Sequence, residues 1–517
     1  MNKLFRATLV AMAVAFASDL AAQEIDILIK GATVYDGSGE TSEVKNVGIK
    51  GDRIVFVGEQ TNGITAQREI DAEGMVLAPG FIDPHTHVEG DLSHPERKSN
   101  LAYLMQGVTT VIGGNDGSGP FPIGEKLDEW EQNGIGTNAG LFVGHGTVRR
   151  QVLGNNDIAP NDAQLEEMKA LVEKGMGDGA IGLSTGLFYS PGSFANKDEV
   201  VALAKVANNF GGIYDTHMRD ESSYSIGLLN SIEETLEIGR ESGIPIHFSH
   251  LKALGADVWG MSDQVIEKIE AAQSSGLKVT ANQYPYEASR TSLIAAVVPR
   301  WAEDGGYKAL LERINDSSLI DTLAEGMTEN IRRRGGPSSL ILSDAKYPEI
   351  DGKSLERMAE EWELEPWEAT FKILKESSAV RVVSFNMQEE DIINFMKQPW
   401  MMTGSDGVVA HPRKYGSFTK KLVEYSLEKN VIPLEFAIHS SSGLTAETLG
   451  LKERGFVREG YYADLILFKI DELENNADYD NPSAFSGGMR YVLVNGEFAI
   501  DEGEYSGKLA GRAIIRK

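Results

Sequence analysis

The chain has 517 residues, 41% of them apolar and 24% charged, which is ordinary for a globular protein and long enough for more than one packed unit. Its formal net charge of −28 argues against nucleic acid, which selects basic stripes, and leaves any anionic substrate to be held by a few local cations. With no cysteine, the chain has neither disulfides nor thiolate ligands.

At the N-terminus, Lys3 and Arg6 precede the apolar run "ATLVAMAVAFA", and small residues follow at Ala21 and Ala22. Asp19 cuts the run short of the roughly 20 apolar residues a bilayer span needs. The pattern predicts a cleaved signal peptide over residues 1–22, and hence a soluble periplasmic or secreted protein without a membrane anchor.

Past this leader, "IDILIKGATVYDG" and "VKNVGIKGDRIVFVGE" read as short strands with glycine turns. The other end matches in kind, with "YYADLILFKI", "YVLVNGEFAI" and "AGRAIIRK". Residues 23–78 and 455–517 are therefore expected to form one small β unit around a middle region, 79–454.

That middle alternates short apolar runs with amphipathic segments such as "NDAQLEEMKALVEKGM" and "SIEETLEIGRESG". Candidate strands are "FIDPHTH", "TTVIGG", "NAGLFVGHG", "GAIGLST", "GIYDTHM", "IPIHFSHLK", "KVTANQYPY" and "WMMTGSDG". Strands alternating with helical spacers in this number predict a (β/α)8 barrel. A long insertion, residues 291–379, separates the seventh strand from the eighth and is expected to be a lid or subdomain.

In such barrels chemistry gathers at the C-terminal ends of the strands. His85 and His87 end the first strand, on one face of it; Asp116 follows the second and His145 ends the third. His217 ends the fifth strand, His250 the sixth and Asp406 the eighth. Of nine histidines, five occupy such positions, and together with the carboxylates they suit Zn²⁺. His145 is open between supporting the metal site and being a satisfied polar residue. His247, three residues before His250, points to the other face; His94 and His439 read as surface or loop residues, and the role of His411 is open. Asp406, between glycines in "TGSDG", is placed to take a proton from an attacking water and pass it to the leaving group.

"PGFIDPHTH", "GHGTVR", "GLSTGLFYSPG", "THMRDE", "SHLK", "QYPYEAS", "GSDG" with "HPRKYGSF", and "GYYADLILF" together resemble the amidohydrolase superfamily, and within it the N-acyl-D-amino-acid deacylases. The resemblance runs through nearly all of the chain beyond the leader. It implies a barrel with a small β-sandwich built from both chain ends, and zinc-dependent hydrolysis of an N-acyl amide of a small-molecule substrate. It further implies that His85 and His87 contact one metal position, His217 and His250 the other, and that Asp406 is the catalytic acid and base. The substrate carboxylate would be clasped by Tyr189, Lys252, Tyr284 or Tyr286, Ser289 and Arg413, a guanidinium offering a bidentate fork and an ammonium a point charge.

Two positions depart from the family pattern. Asp116, in "GGNDGSG", stands where that group commonly has cysteine, so a harder carboxylate is expected to ligate or bridge one or two ions, with other divalent metals tolerated. Arg290 stands where a small residue is usual, and is expected either to contact an acidic part of the substrate or to close the insertion with an ion pair. Hydrolysis of a cyclic amide, an N-acyl-L-amino acid or a dipeptide fits the same site, as does non-catalytic binding of acylated amino acids.

Overall fold

The computed structural model describes residues 23–61, 63–344 and 346–516; the expected signal peptide lies outside them. Eight short parallel strands form a ring. Phe81–Asp83 pairs with Val108–Gly113, which pairs with Asn138–Leu141. That third strand resumes after Phe142 as Val143–Gly144 and pairs with Gly182–Gly186. Ile213–His217, Ile246–Phe248, Val279–Gln283 and Met401–Thr403 then follow in order. A parallel bridge between Thr86 and Gly407 links the eighth strand back to the first. The result is a (β/α)8 barrel with its helices outside.

Both faces of these short strands are covered: Val108–Gly113 and Ile213–His217 are buried at every position, the polar Thr109, Thr110, Asp215 and Thr216 included. The helices bury one stripe each. Asp162–Gly177 starts at Asn161, whose side chain accepts from the Gln164 amide in a capping box, and buries Met168, Val172 and Met176.

Both chain ends share one continuous nine-stranded sheet. Gln23–Val34 is antiparallel to Glu43–Lys50 and parallel to Val76–Pro79, and Val76–Pro79 in turn pairs with Leu465–Phe468. The sheet encloses a core of Ile29, Val47, Ile49, Leu77, Leu465 and Leu493. Ile64–Asp71 alternates between half-buried and exposed positions, as a strand with one wet face does.

The insertion forms its own layer. Ala288–Ser292, Leu340–Ser343 and Arg381–Phe385 make an antiparallel sheet of three strands, so it begins earlier and ends later than the apolar pattern predicts. Helices including Ile320–Arg333 and Pro366–Glu376 pack on it around Leu323, Met327, Leu340, Val382 and their neighbours.

The last described residues cross the rim where the strands begin, opposite the histidine-bearing ends. Ala139 and Ala513 bridge in parallel, and Arg516 donates to the carbonyls of Ile181, Leu449 and Gly211. Removing a side chain that satisfies the carbonyls of the buried Ile181 and Leu449 leaves their desolvation uncompensated. Arg516→Ala is therefore expected to destabilise the protein by about 1–3 kcal/mol, read as a lower Tm in calorimetry.

Candidate metal centre

At the strand ends, four imidazoles and two carboxylates converge. Asp116 is central. Its Oδ1 lies 3.4 Å from His85 Nε2, 3.3 Å from His250 Nε2 and 3.8 Å from His217 Nδ1, while its Oδ2 lies 3.5 Å from His87 Nε2. Asp406 Oδ1 lies 3.2 Å from His87 Nε2 and 3.8 Å from His85 Nε2. The ligand atoms fall into two groups, His85–His87–Asp116–Asp406 and Asp116–His217–His250, with Asp116 common to both.

These spacings fit a metal better than hydrogen bonding. Ligands at about 2.0–2.2 Å from a tetrahedral Zn²⁺ stand about 3.4 Å from one another. Neither ring nitrogen of the buried His85 has a hydrogen-bond partner, and Asp116 Oδ1 and His217 Nε2 also have none. Buried polar atoms left unpaired in this number, facing one another, are what a shared cation resolves.

The polypeptide holds the cluster against local preference. Asp116, His250 and Asp406 all have left-handed backbone, with φ of 55°, 33° and 47°. Gly117, with φ of 69°, packs so closely that a Cβ there would lie 2.6 Å from the Gly186 amide nitrogen. Beneath the cluster, Asn115 donates to the Pro84 carbonyl and to Asp215, and Ser249 donates to Asp215. Asp83 accepts from the backbone amides of His85 and Ser405, so the first and eighth strands are pinned together. Burial pushes the Asp83 carboxyl up to about 7 and that of Asp215 up to about 6, despite these donors.

Asp116 and Asp406 behave oppositely. Burial opposes their ionisation, but His85 and His250 around Asp116, and Arg413 and His87 beside Asp406, hold both carboxyls well below the usual range. The Asp406 amide donates to the His85 carbonyl, and its Oδ2 lies 2.9 Å from the Arg413 guanidinium. Asp406 thus stands between the histidines and a buried cation.

Glu221, which the sequence reading passes over, backs the second group. It lies one helical turn's spacing after His217, with Oε2 3.6 Å from His217 Nε2 and Oε1 3.1 Å from His250 Nδ1. These contacts on Nδ1 turn His250 Nε2 toward Asp116 and toward His217 Nδ1, 2.9 Å away. Glu221 also pairs with Lys252 at 2.7 Å, and Lys252 lies 2.6 Å from His250 Nδ1. Lys252 is thus paired with Glu221, and its side chain reaches the recess beside the cluster.

The remaining expected residues divide. A cleft of about 1010 Å³ opens over His87, Asp116 and Asp406, walled by Tyr189, Arg290, Arg381 and Arg413. A recess of about 370 Å³ adjoins it, lined by Lys252, Tyr284, Ser289, Arg334 and Arg413 among others. Tyr189 packs on His217, ring centres 4.6 Å apart, and accepts from Thr291. Arg413 is 1% exposed, its guanidinium 4.6 Å from the Tyr284 ring centre, and the Tyr284 hydroxyl has no partner. Tyr286 lies outside both spaces, against His411 and Tyr479, so of the two candidate tyrosines only Tyr284 faces the recess. No carboxylate pairs with Arg290 among the described residues, which excludes an ion pair closing the insertion.

His411 is buried and accepts from the Arg413 amide, fixing the start of the helix Arg413–Lys420. His247 is buried and bonds Thr280 and Asn282; in register with Asp215, it shares the inward face beneath the cluster rather than pointing to the other face as the sequence suggests. His94 and His439 are half-buried loop or helix-end residues, His439 bonding the Gly37 carbonyl. His145 makes its hydrogen bond away from the cluster, to Glu199 at 2.8 Å, and Glu199 also pairs with the fully buried Arg149.

Residues 68–500 match the Amidohydrolase family. The chain is 31% identical to the D-aminoacylase of Alcaligenes xylosoxydans xylosoxydans over 96% of its own length and 98% of that protein. It is 32% identical to the N-acyl-D-aspartate deacylase of the same organism, over 95% of this chain and 94% of the relative. Among solved structures, the N-acyl-D-glutamate deacylase of Bordetella bronchiseptica, complexed with zinc and a phosphonate inhibitor, superposes with a TM-score of 0.82 at 27% identity, covering 95% of this chain and all of that one.

The Glu199 cluster carries a pH prediction. Burial tends to raise the Glu199 pKa, but His145 and Arg149 outweigh it and hold the carboxyl below its ordinary 4.5. The unfolded state then binds the proton first, so the stability Glu199 contributes is present above about pH 4.5 and is lost as pH falls through the lower folded pKa. Glu199→Gln is expected to lower Tm at neutral pH, with the gap to the parent protein narrowing in a Tm series run below about pH 4.5; a gap constant with pH would contradict this.

Proposed function

Because this chain belongs to the amidohydrolase family, we infer that its cleft hydrolyses the amide of N-acyl-D-amino acids, releasing a carboxylate and the free D-amino acid. The observation that carries the reading is the pair of ligand groups sharing Asp116 at the floor of a cleft whose wall holds Arg413, with Tyr284 in the adjoining recess. The three relatives, which are named for deacylation of N-acyl-D-amino acids or for D-aminoacylase activity, support it.

In this reading His85, His87, Asp116, His217 and His250 hold one or two divalent ions, zinc being the ion bound in the Bordetella relative. A bound zinc supplies a Lewis acid that acidifies water and polarises a carbonyl. The chain's own residues do the rest. Arg413, Tyr284 and Ser289 clasp the α-carboxylate, the guanidinium by a bidentate fork and the hydroxyls as donors, and so fix which face of the acyl group meets the floor. Asp406, ionised at neutral pH, accepts the proton of the attacking water on Oδ1 and delivers it to the amide nitrogen as the C–N bond breaks. His411 and Tyr284 hold Arg413 in place, and Arg413 in turn orients Asp406 through Oδ2. Glu221 and Lys252, both against His250 Nδ1, hold the ring with Nε2 facing the cluster. An exported location completes the reading, on the strength of the charged and apolar N-terminal pattern. No helix among the described residues is long and apolar enough to cross a membrane.

Two variants test this on the zinc-loaded protein with N-acetyl-D- and N-acetyl-L-amino acids. Asp406→Asn is expected to keep its metal content and lose about 10²–10⁴ in kcat. Asp116→Ala removes the member common to both groups and is expected to lose bound metal by elemental analysis, with activity falling in step. Full metal and activity in Asp116→Ala would remove Asp116 from the site, and equal rates on D and L substrates would remove the stereochemical assignment.

A further inference from the structure

The cleft holds more positive charge than one carboxylate requires. In a chain of net charge −28, Arg150, Arg290 and Arg381 all reach the cleft lining, and none pairs with a carboxylate among the described residues. Arg150 donates only to the Asn155 side chain, and Arg381 to the Ala379 carbonyl. Arg290 Nε is buried without any partner.

The insertion's sheet places two of these charges together. Arg290 pairs with Val383 and Ser292 with Arg381, so Arg290 and Arg381 are diagonal neighbours on one face of an antiparallel pair. Arg290 also adjoins the clasp, since Arg413 donates to its carbonyl at 3.4 Å. Burial, then the neighbouring Arg413 and Arg381, push the Arg290 guanidinium down to about 10, and Asp406 and Asp351 offset only part of this. Such a cluster is unfavourable unless an anion completes it, and a planar fork suits a carboxylate. The α-carboxylate is already served by Arg413, Tyr284 and Ser289.

We propose that Arg290 and Arg381, with Arg150 on the barrel wall, form a second anion subsite that selects N-acyl-D-amino acids bearing a second carboxylate. The proposal rests on the hydrolase reading for its substrate, while the subsite itself rests on the arginine geometry. The second carboxylate can come from an acidic side chain or from a dicarboxylic acyl group, and the chemistry read by the arginines is the same.

The test compares kcat/KM of the zinc-loaded enzyme on N-acetyl-D-glutamate, N-succinyl-D-leucine and N-acetyl-D-leucine. At least one dianion is expected to exceed N-acetyl-D-leucine by about 10-fold or more, and which one it is identifies the source of the charge. Arg290→Ala and Arg381→Ala are each expected to cut that preference ratio by about 10-fold, Arg290→Lys to retain part of it, and added salt to weaken it. A parent enzyme that favours N-acetyl-D-leucine, or variants that leave the ratio unchanged, would overturn the subsite while leaving deacylation standing. Calorimetric titration with glutarate separates the two readings from the other side. Binding that needs Arg290, in an enzyme that hydrolyses none of the three compounds, would sink the deacylase reading and keep the subsite.

Discussion

The open end of the barrel is organised around one carboxylate set among four imidazoles. Asp116 Oδ1 has no hydrogen-bond partner there: the imidazole nitrogens facing it stand 3.3–3.8 Å away, and solvent is largely excluded. The contacts of 3.3–3.8 Å around its Oδ1 are too long for hydrogen bonding and right for the edges of a coordination polyhedron. Three left-handed residues, Asp116, His250 and Asp406, are then understandable: the barrel spends conformational energy to aim ligands, and a cation returns it. The pinning of Asp83 to two strands and of Asn115 to Asp215 keeps that arrangement from relaxing.

A carboxylate at position 116 also offers a metal something a thiolate cannot. A thiolate has one donor atom. The Asp116 carboxylate has two, and the structure divides them, Oδ1 toward His85, His217 and His250, Oδ2 toward His87. Oδ1 therefore faces members of both ligand groups and Oδ2 only His87; both oxygens are harder than sulfur, which shifts preference toward ions that accept oxygen ligands. Asp406 then stands at the group that receives the Oδ2 edge, where its Oδ1 is close to both His85 and His87.

Much of this is legible in the sequence because barrel topology converts strand ends into a common site. Reading His85, His87, His217, His250 and Asp406 as strand-end residues suffices to bring them together, without knowledge of any distance. Residues whose role depends on a partner far along the chain are harder. The pairing of Lys252 with Glu221 is invisible until the two are brought together, and the only local signal for Glu221 is its place four residues after His217. Tyr284 and Tyr286 share a strand-end motif and are separated only by packing, since Tyr286 is taken up by His411 and Tyr479. The insertion's limits escape for a similar reason: Ala288–Ser292 and Arg381–Phe385 are defined by pairing across more than 80 intervening residues, and neither carries a strong alternation of its own.

Charge ties the site to the rest of the molecule. A surface this acidic repels anions at range, yet at physiological ionic strength that repulsion is screened beyond about 8 Å. Inside the cleft the balance reverses, because Arg413 and Arg334 are buried where screening is weak, and Arg290 and Arg381 stand beside them. Attraction is thus confined to the last few ångströms of approach. Electrostatics arranged in this way adds little to the rate of encounter and much to discrimination, since an anion gains from the arginines only once its carboxylates have reached the forks. The acidic exterior and the arginine-lined cleft therefore serve different ends: one sets solubility, the other decides which anions stay.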